Sequence, residues 1–314
     1  MENELRVFNL KSNECYVKDD RHLLEDITFT LDTNDCLGIL ATKTDESKIL
    51  LEELANLRPI YSGYFVYKNT VAPNKTRLAL DHIFFIDGTR SLIDDMNVLE
   101  YLMYATSKFK TKNVRRQKAI FNLLLEFNLG EISLTQISYL TKEERMMVMV
   151  FATIFSNSRF IIVNLNSYDF SDSAIEILKN MFLKLRETKT VILATNQAKL
   201  IGICCNKISY IHNGYQKFFG TTLELQQEYD TVMFILRDKN IDELFESTKE
   251  AFPYLEVRKR YGMVLVCAVE GKYITNQVFY KTLAVNNIYP SEVKMNLGRI
   301  SNAIEELIQN DIQE

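Results

Sequence analysis

No stretch of this 314-residue sequence approaches the roughly 18 consecutive apolar residues that a membrane-crossing helix needs. The longest candidates are strand-length pieces such as 160–163, FIIV. Any membrane role is therefore expected to run through a partner. The opening residues, MENELRVFNLKSNE, are polar and lack the apolar core of a secretion signal, so a cytoplasmic location is expected. An excess of basic charge is missing as well. Lys and Arg number 37 against 41 Asp and Glu, a formal charge of −4 with both signs scattered, which gives nucleic acid no field to bind. Metal-site spacing is lacking too. The five cysteines (Cys15, Cys36, Cys204, Cys205, Cys267) form no CxxC pair, and three histidines cannot complete a conventional site. Reduced thiols and no metal are expected. Neither a low-complexity tract nor an internal repeat is present.

What is there is an apolar content of 47%, enough for one or two cores and, at this length, two domains of unequal size. Residues 5–10 and 24–31 cluster or alternate apolar side chains at strand length, with a turn expected at Asp19 and Asp20. The run 36–41, CLGILA, reads as a buried strand leading through ATKTDES into a helix over 48–56. Apolar residues recur at three and four through 98–129, a mostly helical segment. A buried strand (159–163), an amphipathic helix (173–186) and a second buried strand (190–194) follow. Alternating strands and helices imply a parallel sheet covered on both faces. Gly214 and Gly220 flank a hairpin-like piece, and the pattern then restarts. It reads β (232–236), α (241–251), β (255–261), β (263–269), α (275–285), β (291–295), α (300–309), a ferredoxin-like βαββαβ unit with one extra helix.

Over about residues 3–222 the order of these pieces, with LLEDITFTL, LGIL, ELANLRPIYSGYFVY, MNVLEYL, LTKEE, FSNSRFIIVNLNS, TVILATNQ and CNKISYIHNGYQKFFGT in sequence, resembles the ATPase domain of ABC transporters. The resemblance implies an α/β P-loop NTPase fold over 1–222, with an antiparallel β subdomain and a helical subdomain at about 88–150. Residues 226–314 resemble the α+β accessory domain of bacterial ABC-2 type exporter ATPases, the stretch 297–308 standing near the family's closing motif.

The same resemblance implies which residues stand in the family's site, and many differ from its pattern. A phosphate loop uses glycines so that backbone N–H groups can approach phosphate, and a Lys and a hydroxyl to serve phosphate and Mg²⁺. The matching stretch here is Ala41, Thr42, Lys43, Thr44, Asp45, Glu46, Ser47 and Lys48, with Asp45 and Glu46 expected to oppose a polyphosphate. The metal-holding acid matches Asn164, the water-polarising acid Leu165 and the following Pro Asn166. The next loop's Asp matches Ser171, the switch histidine Asn196 and the metal-sensing glutamine Asp87. The signature becomes Leu140, Thr141, Lys142, Glu143 and Glu144, a stretch that also reads as an ordinary helix N-cap with an acidic first turn. Tyr16 stands where the family often places an adenine-stacking aromatic, with a core or surface role as the alternative.

Taken together, these matches carry the expectation of a degenerate subunit. It would be a pseudo-ATPase with no catalytic residue, no bound ATP or Mg²⁺ and no enzymatic activity. It would dock on an exporter's permease through the groove near 88–130 and pair with itself or with an ATPase homologue, at the inner face of the membrane. A weakly active or assembly-rescued ABC transporter ATPase is the second reading, and a soluble interaction module independent of transport the third.

Overall fold

In the computed structural model, residues 3–16, 21–67, 70–72, 83–107, 112–229, 232–269, 274–295 and 300–313 are described. The expected turn at Asp19 and Asp20 lies outside them, as do residues 297–299 of the closing stretch. The chain divides into two compact units, residues 1–221 and 222–314.

The first unit opens with β1 (Asn3–Ser12), β2 (Ile27–Asp32), β3 (Cys36–Ala41), α1 (Thr44–Leu54), β4 (Ile60–Tyr67), β5 (Thr70–Ala72) and β6 (Ile83–Asp87). It continues through α2 (Val98–Ala105), α3 (Asn113–Glu126), a single 3₁₀ turn at Ile137–Tyr139 and α4 (Lys142–Ile154). β7 (Phe160–Asn164), α5 (Asp172–Arg186), β8 (Thr190–Ala194), α6 (Ala198–Cys204), β9 (Lys207–His212) and β10 (Tyr215–Thr221) complete it.

Two sheets result. One is antiparallel, in the order β2-β1-β4-β5; the other runs β10-β9-β3-β8-β7-β6, parallel except for the β9–β10 hairpin. Asn213 and Gly214, both at positive φ, make that hairpin's turn. Every residue of β7 and β8 is buried, as a parallel sheet with helices on its faces requires. Helix α1 packs on β3, β7 and β8, with α5 against β8 and α6 against β3. Leu37, Ile39, Leu50 and Leu54 join Phe29, Leu31 and Phe65 in one core, so the antiparallel sheet and the α1 layer share buried surface. Gly63 marks the closest approach in the antiparallel sheet: at φ +87° a Cβ there would lie 2.4 Å from the Asn9 carbonyl oxygen, beside a register shift between β1 and β4.

Helix α1 begins four residues before the start expected at 48. Thr44 to Ser47 carry no apolar periodicity, yet Asp45 and Glu46 suit the positive end of a helix, and the Glu46 amide donates to the Lys43 carbonyl at 3.1 Å.

The second unit holds α7 (Thr222–Tyr229), β11 (Val232–Arg237), α8 (Ile241–Ala251), β12 (Glu256–Arg260), β13 (Met263–Cys267), α9 (Asn276–Val285), β14 (Glu292–Met295) and α10 (Ile300–Gln313). Its antiparallel sheet has the order β12-β13-β11-β14. Phe234, Leu236, Val264 and Val266 pack with Leu244, Phe252, Phe279 and Leu283, so α8 and α9 cover one face. Among the described residues no helix is long and apolar enough to cross a membrane.

Candidate functional site

The carboxyl ends of β3, β6 and β7 meet in one place, where open α/β sheets bind ligands. The residues delivered there are those the sequence singled out. Ala41 ends β3, and only Thr42 and Lys43 separate it from α1. The Thr42 amide donates to the Ile211 carbonyl at 3.0 Å, and its hydroxyl lies 2.8 Å from His212 Nδ1. This connection is pinned to the end of β9.

Glu46 is not set against an approaching polyphosphate as the sequence suggested. It is fully buried and accepts a hydrogen bond from the Tyr16 hydroxyl. Burial raises the Glu46 carboxyl above the usual range, while the Tyr16 bond and Lys43 act in the other direction. Burial, and then the acid beside it, raises the Tyr16 phenol as well. Lys43 Nζ lies 4.3 Å and the Arg21 guanidinium 4.9 Å from the centre of the Tyr16 ring. Tyr16 is thus engaged by two cations and a buried acid. Asp45 stays exposed at the helix start.

At the next residue, Ser47 Oγ accepts from Asn166 Nδ2 at 2.8 Å. Asn164 Oδ1 accepts from the Asn166 amide at 3.2 Å, and Asn164 Nδ2 donates to Asp87 Oδ1 at 2.9 Å. Lys48 Nζ stands 3.9 Å from both Asp87 Oδ2 and Glu52 Oε1. Ser47, Lys48, Asp87, Asn164 and Asn166 therefore form one polar network across three strand ends. Leu165 takes no part: its side chain is fully buried, and its amide donates to the Ala194 carbonyl at 2.7 Å. Asn196 is exposed just past β8.

Sequence reasoning missed Gln197, the next residue. It accepts from the Phe170 amide at 3.0 Å and donates to Asp169 Oδ1 at 2.7 Å, holding the loop after β7. The available signal was a polar residue closing TVILATNQ at a strand end. Arg21, missed too, meets Tyr16 from the same turn and Tyr215 from β10, and the second of these pairings is beyond any local pattern.

The stretch at the signature position starts α4. Thr141 is its N-cap, with Thr141 Oγ1 accepting from the Glu144 amide at 3.2 Å and Glu144 Oε2 accepting from the Thr141 amide at 2.8 Å. Leu140 is buried beside the cap. Lys142 donates to the Ser167 carbonyl and lies 4.7 Å from the Tyr168 ring centre. Glu143 accepts from the Ser171 amide at 3.1 Å and its hydroxyl at 2.9 Å. The loop 164–171 thereby ties the start of α4 to the network at Ser47 and Lys48.

A magnesium nucleotide needs donors for phosphate and oxygen ligands for the metal. Lys43 and Lys48 are exposed cations, and Asp87 with Asn164 offers oxygens at the strand ends. The backbone part does not fit: a two-residue β3–α1 connection, with the Thr42 and Glu46 amides already bonded within the chain, cannot ring a phosphate with free N–H groups.

No family model matches the sequence. Among curated proteins, an uncharacterized ABC transporter ATP-binding protein of Methanocaldococcus jannaschii is 19% identical over 238 residues, 76% of this chain and 84% of that protein. ABC transporter A family member 4 of Dictyostelium discoideum is 29% identical over 138 residues, 43% of this chain, and the match spans only 8% of that relative's length. Among solved structures, cbiO1 from Clostridium perfringens, part of the ABC transporter complex cbiONQ, has a TM-score of 0.61 at 13% identity, covering 72% of this chain and 91% of that one. A dimeric ATP-binding cassette in a post-hydrolysis state, bound to ADP and Pi, has a TM-score of 0.57 at 15% identity, covering 69% and 98%. The chain has the fold of an ATP-binding cassette.

These matches overturn two expectations drawn from the sequence, that the chain is no enzyme and that it takes no cofactor. A cassette of this fold has been solved with ADP and Pi bound.

Proposed function

We propose that this chain is the ATP-binding subunit of an ABC-type membrane exporter, one half of a cassette pair docked on a permease, with its nucleotide site completed in that assembly. The observation that carries the reading is the convergence of Ser47, Lys48, Asp87, Asn164 and Asn166 at the ends of β3, β6 and β7 on a cassette fold. Lys48 and Lys43 are the groups for phosphate, and Asp87 with Asn164 are those for the metal. A short β3–α1 connection leaves the backbone share of the grip to be made up, and a second cassette facing α4 is the natural source.

Residues 1–222 are the cassette, and the segment at about 88–150 is its helical subdomain. Leu134 and Tyr139 there, 73% and 79% exposed, support a role for this segment in docking a permease. The second unit we read as a ferredoxin-like accessory domain of the ABC-2 exporter kind. Its βαββαβ order and β12-β13-β11-β14 sheet support that reading. Attachment to the inner face of the membrane is then through the permease.

The test is expression of the tagged chain in its native host, followed by detergent extraction of the membranes and affinity capture of this chain. Stoichiometric recovery of the permease, lost when Leu134 and Tyr139 are both changed to Glu, is the expected result. Recovery of a soluble chain with no membrane partner would overturn the proposal.

A further inference from the structure

Helix α3 has two apolar stripes where a helix of a folded domain needs one. Ile120 and Leu124, four residues apart and fully buried, form the inward stripe of a helix that packs beside α2. Val114, Phe121 and Leu125 form the second. Steps of seven and four residues bring these three within about 40° of arc on the helix surface. They are nevertheless 78%, 38% and 53% exposed. Burial in the fold accounts for the first stripe and leaves the second unused.

Charge selects what covers it. Lys118, about one turn from both Val114 and Phe121, lies against the exposed stripe, and Arg115 and the N-cap Lys112 continue the exposed surface beyond it. None of the three cations is in an ion pair among the described residues. The helix has no acid in its first turn, and its one acid, Glu126, stands at the far end within electrostatic reach of Lys184 on α5. Cations at the positive end of a helix dipole are unfavourable on their own account, and an external layer of negative charge offsets them. A protein groove would have to place an acid against each cation. A bilayer with anionic headgroups presents negative charge and an apolar boundary together, wherever the long side chains reach. We infer that this face of α3 lies on an anionic phospholipid surface, with Val114, Phe121 and Leu125 entering the headgroup boundary and Lys112, Arg115 and Lys118 held by lipid phosphates.

This contact adds to the proposed permease docking and does not depend on it, because the test uses only the full chain and lipid. The sequence has no tryptophan, so Phe121→Trp places a single emission probe within the stripe. That variant is mixed with vesicles of phosphatidylcholine and phosphatidylserine in equal parts, and separately with vesicles of phosphatidylcholine alone. A blue shift with the first, none with the second, and loss of the shift in high salt are expected. Leu223→Trp, at an exposed apolar position of the second unit, should not shift with either. Adding Arg115→Gln and Lys118→Gln to the Phe121→Trp chain, both at exposed positions, should weaken binding about twenty-fivefold, at about fivefold for each cation. An unchanged thermal midpoint shows that the fold is kept. The inference is overturned if no shift occurs, if both vesicles or both tryptophans respond alike, or if the two glutamines leave the affinity unchanged. Permease capture that the same two glutamines abolish, without any vesicle binding, would assign the face to a protein partner and overturn it as well.

Discussion

Glu53, on the inner face of α1, is 1% exposed, and burial pushes its carboxyl up to about 8, against the Asn13 amide and Arg58, which act the other way. The folded protein therefore holds a proton at this residue that the unfolded chain has released above the ordinary carboxylate pKa of about 4.5. Stability is fully present below that value and falls as pH rises toward 8, at up to about 1.4 kcal/mol per pH unit, because the native state binds the extra proton. Glu46, raised by burial in the same direction, adds to the trend. Chemical denaturation at pH 5, 6.5 and 8 should give steadily lower stability, and Glu53→Gln should remove most of the slope. Leu165 makes a second residue-scale case. Restoring an acid there by Leu165→Glu would put a carboxylate where the side chain is fully buried, so a loss of about 3 kcal/mol or more is expected in urea titration.

At the scale of elements, the capping box of α4 predicts that Thr141→Ala costs about 1 kcal/mol in the same assay. The packing of β3 against α6 predicts that Gly38→Ala also destabilises, since a Cβ there would meet Ile201 Cγ2 at 2.8 Å and Cys205 Sγ at 3.0 Å. The elements that could be read from sequence are those whose environment is uniform. The runs 36–41, 160–163 and 191–194 are apolar throughout because they lie between helix layers, and the segment 241–251 carries a helical stripe that one face of a sheet accepts. The first turn of α1 was not readable, because polar residues fix it through helix-end electrostatics and not through burial periodicity. The site behaves the same way. Ser47, Lys48, Asp87, Asn164 and Asn166 could be named in advance and Gln197 and Arg21 could not, but Asn164 reaches Asp87 across 77 positions and Asn166 reaches Ser47 across 119, and no local pattern carries such pairings. The inward turn of Glu46 was illegible for that reason too, since Tyr16 takes it from 30 residues away.

For the whole molecule, two compact units on one chain separate two kinds of evidence. The first has the cassette fold and gathers a polar network at the ends of β3, β6 and β7, while its β3–α1 connection is too short to grip phosphate by backbone alone. In the proposed assembly the missing share comes from the paired cassette. The most direct measurement is an equilibrium titration of a fluorescent ATP analogue with Mg²⁺ against the chain alone and against its permease complex. Saturable binding in the complex, tighter than to the chain alone and weakened about tenfold by Lys48→Ala, is the predicted result. Absence of binding in both states, or binding indifferent to Lys48→Ala, would contradict it.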